Sequence, residues 1–163
     1  MLIIQVDRAH YAPAMPYEDS PQPIGYSATI SAPHMHASAI EHVLSYLLPS
    51  STSPAPRVLD IGSGSGYLTH VMAELVGEKG LVVGLEHIRQ LKELGEKNMS
   101  KSEEGRRLLE SGKVRFSMFI PVDDDKMGYN QHVWRIEKDG NGEITKKKLF
   151  GVRYVPLTEA PKA

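Results

Sequence analysis

The sequence predicts an α/β chain, with a parallel sheet flanked by helices in its first two thirds and antiparallel strands in its last third. Three observations carry this. Two apolar runs, Arg57-Val58-Leu59-Asp60-Ile61 and Leu81-Val82-Val83-Gly84-Leu85-Glu86, have the length and near-continuous apolarity of buried parallel strands. Between them Leu68, Val71, Met72, Leu75 and Val76 share one face of a helical pattern from Tyr67 to Val76, so the three form a right-handed βαβ unit. Near the other end, Asp139-Gly140-Asn141-Gly142 separates two strand-like stretches, Gln131 to Lys138 and Glu143 to Phe150, which is a strong hairpin signal.

The remaining elements follow in order. Residues 1–33 are punctuated by Pro13, Pro16, Pro21, Pro23 and Pro33 and show little periodicity, as in a functional loop or docking arm. From His34 to Leu48, Ala39, Ile40, Val43, Leu44, Leu47 and Leu48 recur at helical spacing, and Pro49 with the polar loop Ser50 to Pro54 ends that helix. Gly77 and Gly80 flank the end of the helix inside the βαβ unit. Ile88 to Asn98 is a further helix with Ile88, Leu91 and Leu94 inward, and a charged stretch, Ser102 to Arg107, leads into Leu108-Leu109 and Gly112. Lys113 to Val122 is a continuous apolar run, long for one parallel strand. Val152 to Val155 is the last strand expected.

At 163 residues the chain is the size of one domain. Its formal charge of −1 excludes the global basic excess that drives nucleic-acid binding. The count of 0 cysteines excludes a disulfide scaffold, a thiolate zinc site and a Cys nucleophile. The N-terminal apolar run, Leu2-Ile3-Ile4, is too short for a signal peptide, and no stretch is long enough to span a bilayer. The expectation is a soluble, cytoplasmic protein that acts as a monomer, with no membrane or nucleic-acid partner.

The most informative stretch is Asp60-Ile61-Gly62-Ser63-Gly64-Ser65-Gly66. Glycines let the backbone pass close to a ligand, and the following helix opens with free N–H groups. The third glycine comes one position too early for the dinucleotide fingerprint, and no Lys follows as an NTPase phosphate loop requires. An acid, Asp60, ends the strand instead. That suits S-adenosyl-L-methionine, which carries an ammonium group and no phosphate. Glu86, at the end of the next strand, can accept both ribose hydroxyls of an adenosine. The alternative is a βα turn that happens to be glycine-rich.

Upstream of the turn, the sequence resembles the protein-L-isoaspartate (D-aspartate) O-methyltransferase family. The match includes Asp7-Arg8, Tyr11, Pro16-Tyr17, Ser20-Pro21-Gln22, Ile24-Gly25 and the block Ala28-Thr29-Ile30-Ser31-Ala32-Pro33-His34-Met35-His36-Ala37. It continues through Leu59 to Thr69 and Val83 to Ile88, and resumes at Gly151-Val152-Arg153-Tyr154-Val155-Pro156-Leu157-Thr158. The resemblance implies a three-layer, Rossmann-like methyltransferase sheet. It implies methyl esterification of the free carboxylate of L-isoaspartyl and D-aspartyl residues in damaged proteins, which are the substrates. The ester then closes to a succinimide, whose hydrolysis restores some normal Asp. By resemblance Ser31 is the active residue, and Ala28, Thr29, Ile30, Ser31 and His36 line the cofactor and substrate cleft. Asp60, Gly62, Ser63, Gly64, Ser65, Gly66, Glu86 and His87 hold the cofactor, and Thr158 closes the site.

The chain departs from the family pattern in two places. Six residues precede Asp7-Arg8 where the family has helical sequence. Further on, Lys113-Val114-Arg115-Phe116 runs directly into Ser117-Met118-Phe119-Ile120-Pro121-Val122, so an internal deletion is expected near residues 116–117 and the sheet is expected to be incomplete. The organisation is then one domain: residues 1–33 as an arm, 34–116 as the cofactor-binding half, and 117–163 as the C-terminal strands. Lost central strands leave unpaired edges and exposed apolar surface. The alternatives are a non-catalytic remnant of the enzyme and a small nicotinamide-dependent oxidoreductase. Ser31 can also be read as a helix cap. His34 and His36 lack companion ligands, so no metal is expected. The EF-hand-like spacing of Asp123, Asp125 and Gly128 ends on Trp134 rather than Glu, which reads as a solvated loop.

Overall fold

The computed structural model describes residues 6–118, 131–138 and 141–152. They fall into two units, one built from the residues up to Met118 and one from a C-terminal hairpin.

The first unit opens with a 3-10 helix, Arg8–His10, capped by the Asp7 side chain. A two-stranded hairpin follows, β1 (Gln22–Gly25) and β2 (Ala28–Ile30), so the arm carries regular structure that its proline content concealed. Its turn explains why. Gly25, Tyr26 and Ser27 have φ of 88°, 52° and 57°. Tyr-Ser at such positions carries none of the Asn-Gly or Asp-Gly signal that marks a left-handed hairpin turn.

Helix α1 (Pro33–Leu47) begins with Pro at its first turn, where the missing N–H costs nothing. Its N-cap position is Ala32, which has no capping side chain. Asp19 supplies the missing acceptor from the arm: its Oδ1 takes the His34 N–H at 3.0 Å and lies 2.8 Å from His34 Nδ1. Ser31 is therefore not the helix cap.

The sheet comprises β3 (Arg57–Ile61), β4 (Leu81–Glu86) and β5 (Val114–Met118), parallel and in the order β3-β4-β5. Arg57 pairs with Leu81 and Ile61 with Leu85; Val82 pairs with Val114 and Glu86 with Met118. Helix α2 (Tyr67–Leu75) crosses from β3 to β4, and α3 (Arg89–Met99) from β4 towards β5. Together they cover one face, burying Val71, Met72, Leu75, Leu91 and Met99 against Val82, Val114 and Phe116. The stretch read as merely charged is a helix, α4 (Glu103–Glu110). Ser102 caps it by accepting the Gly105 N–H, and Glu103 and Glu104 favour its N-terminal dipole.

No described element covers Leu59 and Ile61 on the opposite face of the sheet. Leu59 is 55% and Ile61 63% exposed, and β3 pairs with β4 alone among the described residues. A lysine at position 59 should therefore cost little: surface substitutions stay within about 0.5 kcal/mol. Leu59→Lys is expected to melt within about 2 °C of the parent and to be more soluble. A fall of about 10 °C in the melt, the size of a core defect, would show the face to be covered.

The second unit pairs β6 (Gln131–Lys138) with β7 (Ile144–Val152), antiparallel, with a bulge between Val133 and Trp134. Lys146, Lys147 and Lys148 are exposed on β7. The fused run beyond Met118, the Asp123–Asp125 loop, the turn at Asp139-Gly140, the expected strand through Val155, and Thr158 lie outside the described residues. No helix of the described residues is long and apolar enough to cross a membrane.

Candidate functional site

The glycine turn joins β3 to α2. Gly62, Gly64 and Gly66 have φ of 80°, 53° and 88°, a region that a side chain at those positions would strain. The turn is tied down on all sides. Gly62 and Ser63 donate their N–H groups to the Leu85 carbonyl at 2.8 and 3.0 Å, and Gly66 donates to the Ser63 carbonyl at 2.8 Å. Asn98, from α3, donates its side-chain amide to the Ser65 carbonyl at 3.1 Å. At Gly66 a Cβ would stand 3.1 Å from both Gly95 Cα and the Phe116 ring, so only glycine lets α3 and β5 pack this closely on the turn.

Glu86 ends β4 and is 3% exposed. One carboxylate oxygen accepts the Gly64 N–H at 2.9 Å; the other accepts those of His87 at 2.7 Å and Ile88 at 3.1 Å. His87 Nδ1 lies 2.9 Å from the same oxygen. A carboxylate has about four acceptor directions, so roughly one is left for a ligand hydroxyl. Both ribose hydroxyls can therefore bind Glu86 only if one of them shares a direction already in use. On β3, Asp60 accepts the Thr69 hydroxyl at 2.6 Å. Burial pushes its carboxyl up, the Thr69 hydrogen bond opposes this, and the nearby Glu86 charge adds to the rise.

Two features of the turn bear on its ligand. Four of its N–H groups, on Gly62, Ser63, Gly64 and Gly66, are spent within the protein. A phosphate needs such groups free, and here the carboxylates of Asp60 and Glu86 also oppose an anion. By contrast, Ser63 Oγ is buried with no hydrogen-bond partner among the described residues. Buried hydroxyls are normally paired, so an unpartnered one at a ligand-binding turn fits an adenosyl ligand with polar groups to offer. The residues present thus suit S-adenosyl-L-methionine: Asp60 for its ammonium end, Glu86 for the ribose, and Ser63 and Ser65 along the turn.

The arm is anchored on the same turn. A Cβ at Gly64 would lie 3.4 Å from Ile24 of β1. Tyr11 is buried, hydrogen-bonds through its hydroxyl to His70 Nδ1 of α2, and meets the Tyr67 ring edge-on at 5.6 Å. Burial pushes the Tyr11 phenol well above its usual range. Arg8 is 5% exposed. It donates to the Pro16 carbonyl at 2.8 Å and the Ser31 carbonyl at 2.7 Å, lies 3.2 Å from His36 Nδ1, and sits 5.2 Å over the Tyr67 ring. The His36 and Tyr67 rings are 5.2 Å apart.

Ser31 therefore stands at the junction of β2 and α1, with its backbone held from below by Arg8 and its Oγ without a partner among the described residues. Ala28, Thr29 and Ile30 form β2 leading into it, Ile30 buried and Thr29 exposed. His36 lies one turn into α1. The structure brings this block and the glycine turn into one contact network through Ile24, Arg8 and Tyr67. Thr158 lies outside the described residues. Sequence reasoning gives no role to Arg8, Tyr67, Asn98 or Phe116. A buried arginine has no local signature, and Asn98 looks like any polar helix residue. His34, read as having no companion carboxylate, has one in Asp19, fifteen residues away in the chain.

Burial, and then the Arg8 charge, push His36 down to about 4. An unfolded histidine titrates near 6.5, so between about pH 6.5 and 4 the unfolded chain binds a proton that the native one does not. Stability from this residue is therefore complete above about pH 6.5 and is lost as pH falls towards 4. Thermal melts at about pH 7, 6 and 5 are expected to decline more steeply for the parent than for His36→Asn; parallel declines would contradict it.

Comparison with known proteins gives a consistent set of relatives. The sequence model of the family described as protein-L-isoaspartate(D-aspartate) O-methyltransferase matches residues 2–116 and 106–162. A protein-L-isoaspartate O-methyltransferase from Caenorhabditis elegans is 40% identical over 190 residues, covering 94% of this chain and 81% of its own length. One from Triticum aestivum is 37% identical, covering 94% and 80%. Among solved structures, a Plasmodium falciparum protein described as a putative protein-L-isoaspartate O-methyltransferase, in complex with S-adenosyl-L-homocysteine, superimposes with a TM-score of 0.79 at 28% identity. The match covers 96% of this chain and 88% of that one.

Proposed function

This chain belongs to the protein-L-isoaspartate(D-aspartate) O-methyltransferase family, and from that membership we propose that it esterifies the free carboxylate of isoaspartyl residues in damaged proteins, starting their repair. The observation that carries the reading is the glycine turn: its N–H groups are spent internally, the carboxylates of Asp60 and Glu86 stand beside it, and Ser63 Oγ is left unpartnered among the described residues. This favours a cationic, hydroxyl-bearing cofactor over a dinucleotide. When bound, S-adenosyl-L-methionine supplies an electrophilic methyl group on a sulfonium.

The protein then has little proton transfer to perform. A substrate carboxylate is ionised at neutral pH and is already a nucleophile. What the reaction needs is in-line placement against the methyl and exclusion of water. Ser31 Oγ, held at the β2–α1 junction, donates to one carboxylate oxygen and leaves the other aimed at the methyl. Ala28, Thr29, Ile30 and His36 line the cleft around it. Ser65, Glu86 and His87 hold the cofactor.

We place the internal junction of this shortened domain near residues 116–117. Two findings support that placement. The family model matches the chain in two stretches, 2–116 and 106–162, that overlap just before that point, and the 190-residue alignment with the C. elegans relative, longer than this chain's 163 residues, supports a shortened domain.

The exposure of Leu59 and Ile61 among the described residues favours a second reading, a remnant that keeps the cofactor turn without turnover. One assay separates the two: methyl transfer from labelled S-adenosyl-L-methionine to an isoaspartyl peptide and its aspartyl twin. Transfer to the isoaspartyl peptide alone supports the enzyme. No transfer, with a full-length relative active alongside, leaves the remnant.

A further inference from the structure

We propose that Arg8 is a positioning residue for this site, holding the Ser31 backbone and fixing the His36 ring in one tautomer. Two observations carry it. Arg8 is nearly inaccessible yet has no carboxylate within ion-pair distance among the described residues. The Asp19 charge acts on it only from beyond contact, and a buried cation with no carboxylate in contact is costly, so its hydrogen bonds must compensate. They are directed at two residues of the proposed cleft and at the arm: the Ser31 carbonyl, His36 Nδ1 and the Pro16 carbonyl.

The His36 contact has one chemical meaning. A guanidinium can donate but cannot accept, so the facing Nδ1 must carry a lone pair. His36 is then neutral, with its proton on Nε2. The charged and titratable groups against that ring are Arg8, from the 3-10 helix, which faces Nδ1 and can only donate, and Tyr67, from α2, which meets it ring to ring. The flat guanidinium also stacks over Tyr67, the first residue of α2, which ties the Ser31 block to the glycine turn. A lysine offers one compact ammonium and no fork, so it cannot serve Ser31, His36 and Pro16 together.

The consequence for activity rests on the functional reading above, and the test keeps the two apart. The ring nitrogens of His36 are followed by NMR in the full chain from about pH 5 to 8, spanning the ordinary histidine range, alongside calorimetric binding of S-adenosyl-L-homocysteine and a thermal melt. In the parent, His36 is expected to show a bare Nδ1 and a protonated Nε2 throughout. In Arg8→Met both tautomers appear, while the ring stays largely neutral, because burial, the larger cause of its lowered pKa, remains. Arg8→Lys, chosen because it keeps the charge and the cooperative melt, is expected to show mixed tautomers and about tenfold weaker binding. A parent His36 that titrates near its ordinary value of about 6.5, or Arg8→Lys with parental ring signals and affinity, overturns the assignment. A parent chain that binds no S-adenosyl-L-homocysteine while its His36 stays locked overturns the cofactor reading and leaves the Arg8–His36 assignment standing.

Discussion

Ser31→Ala is expected to lower methyl transfer to an isoaspartyl peptide by about 100-fold or more, while the melt and the affinity for S-adenosyl-L-homocysteine stay within about twofold of the parent. The large kinetic effect follows from geometry. An unanchored carboxylate can rotate and drift, and a misplacement of about 1 Å in a reacting atom costs on the order of 100-fold. Losing a single well-aimed donor at a reacting group costs a similar amount. The small effect on stability has a separate cause. The fold uses the backbone carbonyl of Ser31, bound by Arg8, and the hydroxyl has no partner among the described residues. Alanine keeps that carbonyl and removes the hydroxyl alone. Steady-state rates with the peptide varied at saturating S-adenosyl-L-methionine test this directly. A variant that retains more than about a third of the parental rate would show that the carboxylate is oriented by other groups.

Glu86 produces the second large effect, through both binding and stability. Glu86→Ala leaves the N–H groups of Gly64, His87 and Ile88 without their acceptor. Each buried N–H left unpaired costs about 1–3 kcal/mol. For a chain of this size the melt is then expected to fall by about 10 °C or more. Glu86→Gln separates the two roles. Its amide oxygen can still serve His87 and Ile88, but its NH2 turns two donors towards Gly64 N–H and removes the charge. It is expected to lose a few degrees and about 100-fold in S-adenosyl-L-homocysteine affinity, the loss of one or two hydrogen bonds to a charged group. Parental affinity in Glu86→Gln would mean that the carboxylate only staples the turn to the end of β4.

Much of the cofactor side is legible in the sequence. The turn from Asp60 to Gly66 and the acid at Glu86 are set by strand–turn–helix periodicity over one short contiguous stretch, and local chemistry suffices to read them. Ser31 is legible through the surrounding block. The arm is not. Its hairpin turns on Tyr26 and Ser27 in a left-handed conformation that residue type does not announce, and α4 hides in a run of charges because its buried side is confined to Gly105 and Leu108. The bond from Asp19 to the start of α1 crosses fifteen residues, beyond any capping rule read along the chain.

The sequence by itself determined the βαβ unit, the glycine turn and the two carboxylates beside it, because each is written in neighbouring residues. The tertiary structure decided which polar groups remain available to a ligand. It spends the turn's N–H groups on Leu85, Glu86 and Ser63, leaves Ser63 Oγ unpartnered among the described residues, buries Arg8 against Ser31, His36 and Tyr67, and exposes Leu59 and Ile61. Those outcomes depend on residues far apart in the chain, such as Arg8 and Ser31, 23 positions apart, and Tyr11 and His70, 59 apart. Desolvation and hydrogen-bond competition act on atoms once they are neighbours in space, and linear sequence does not record that proximity.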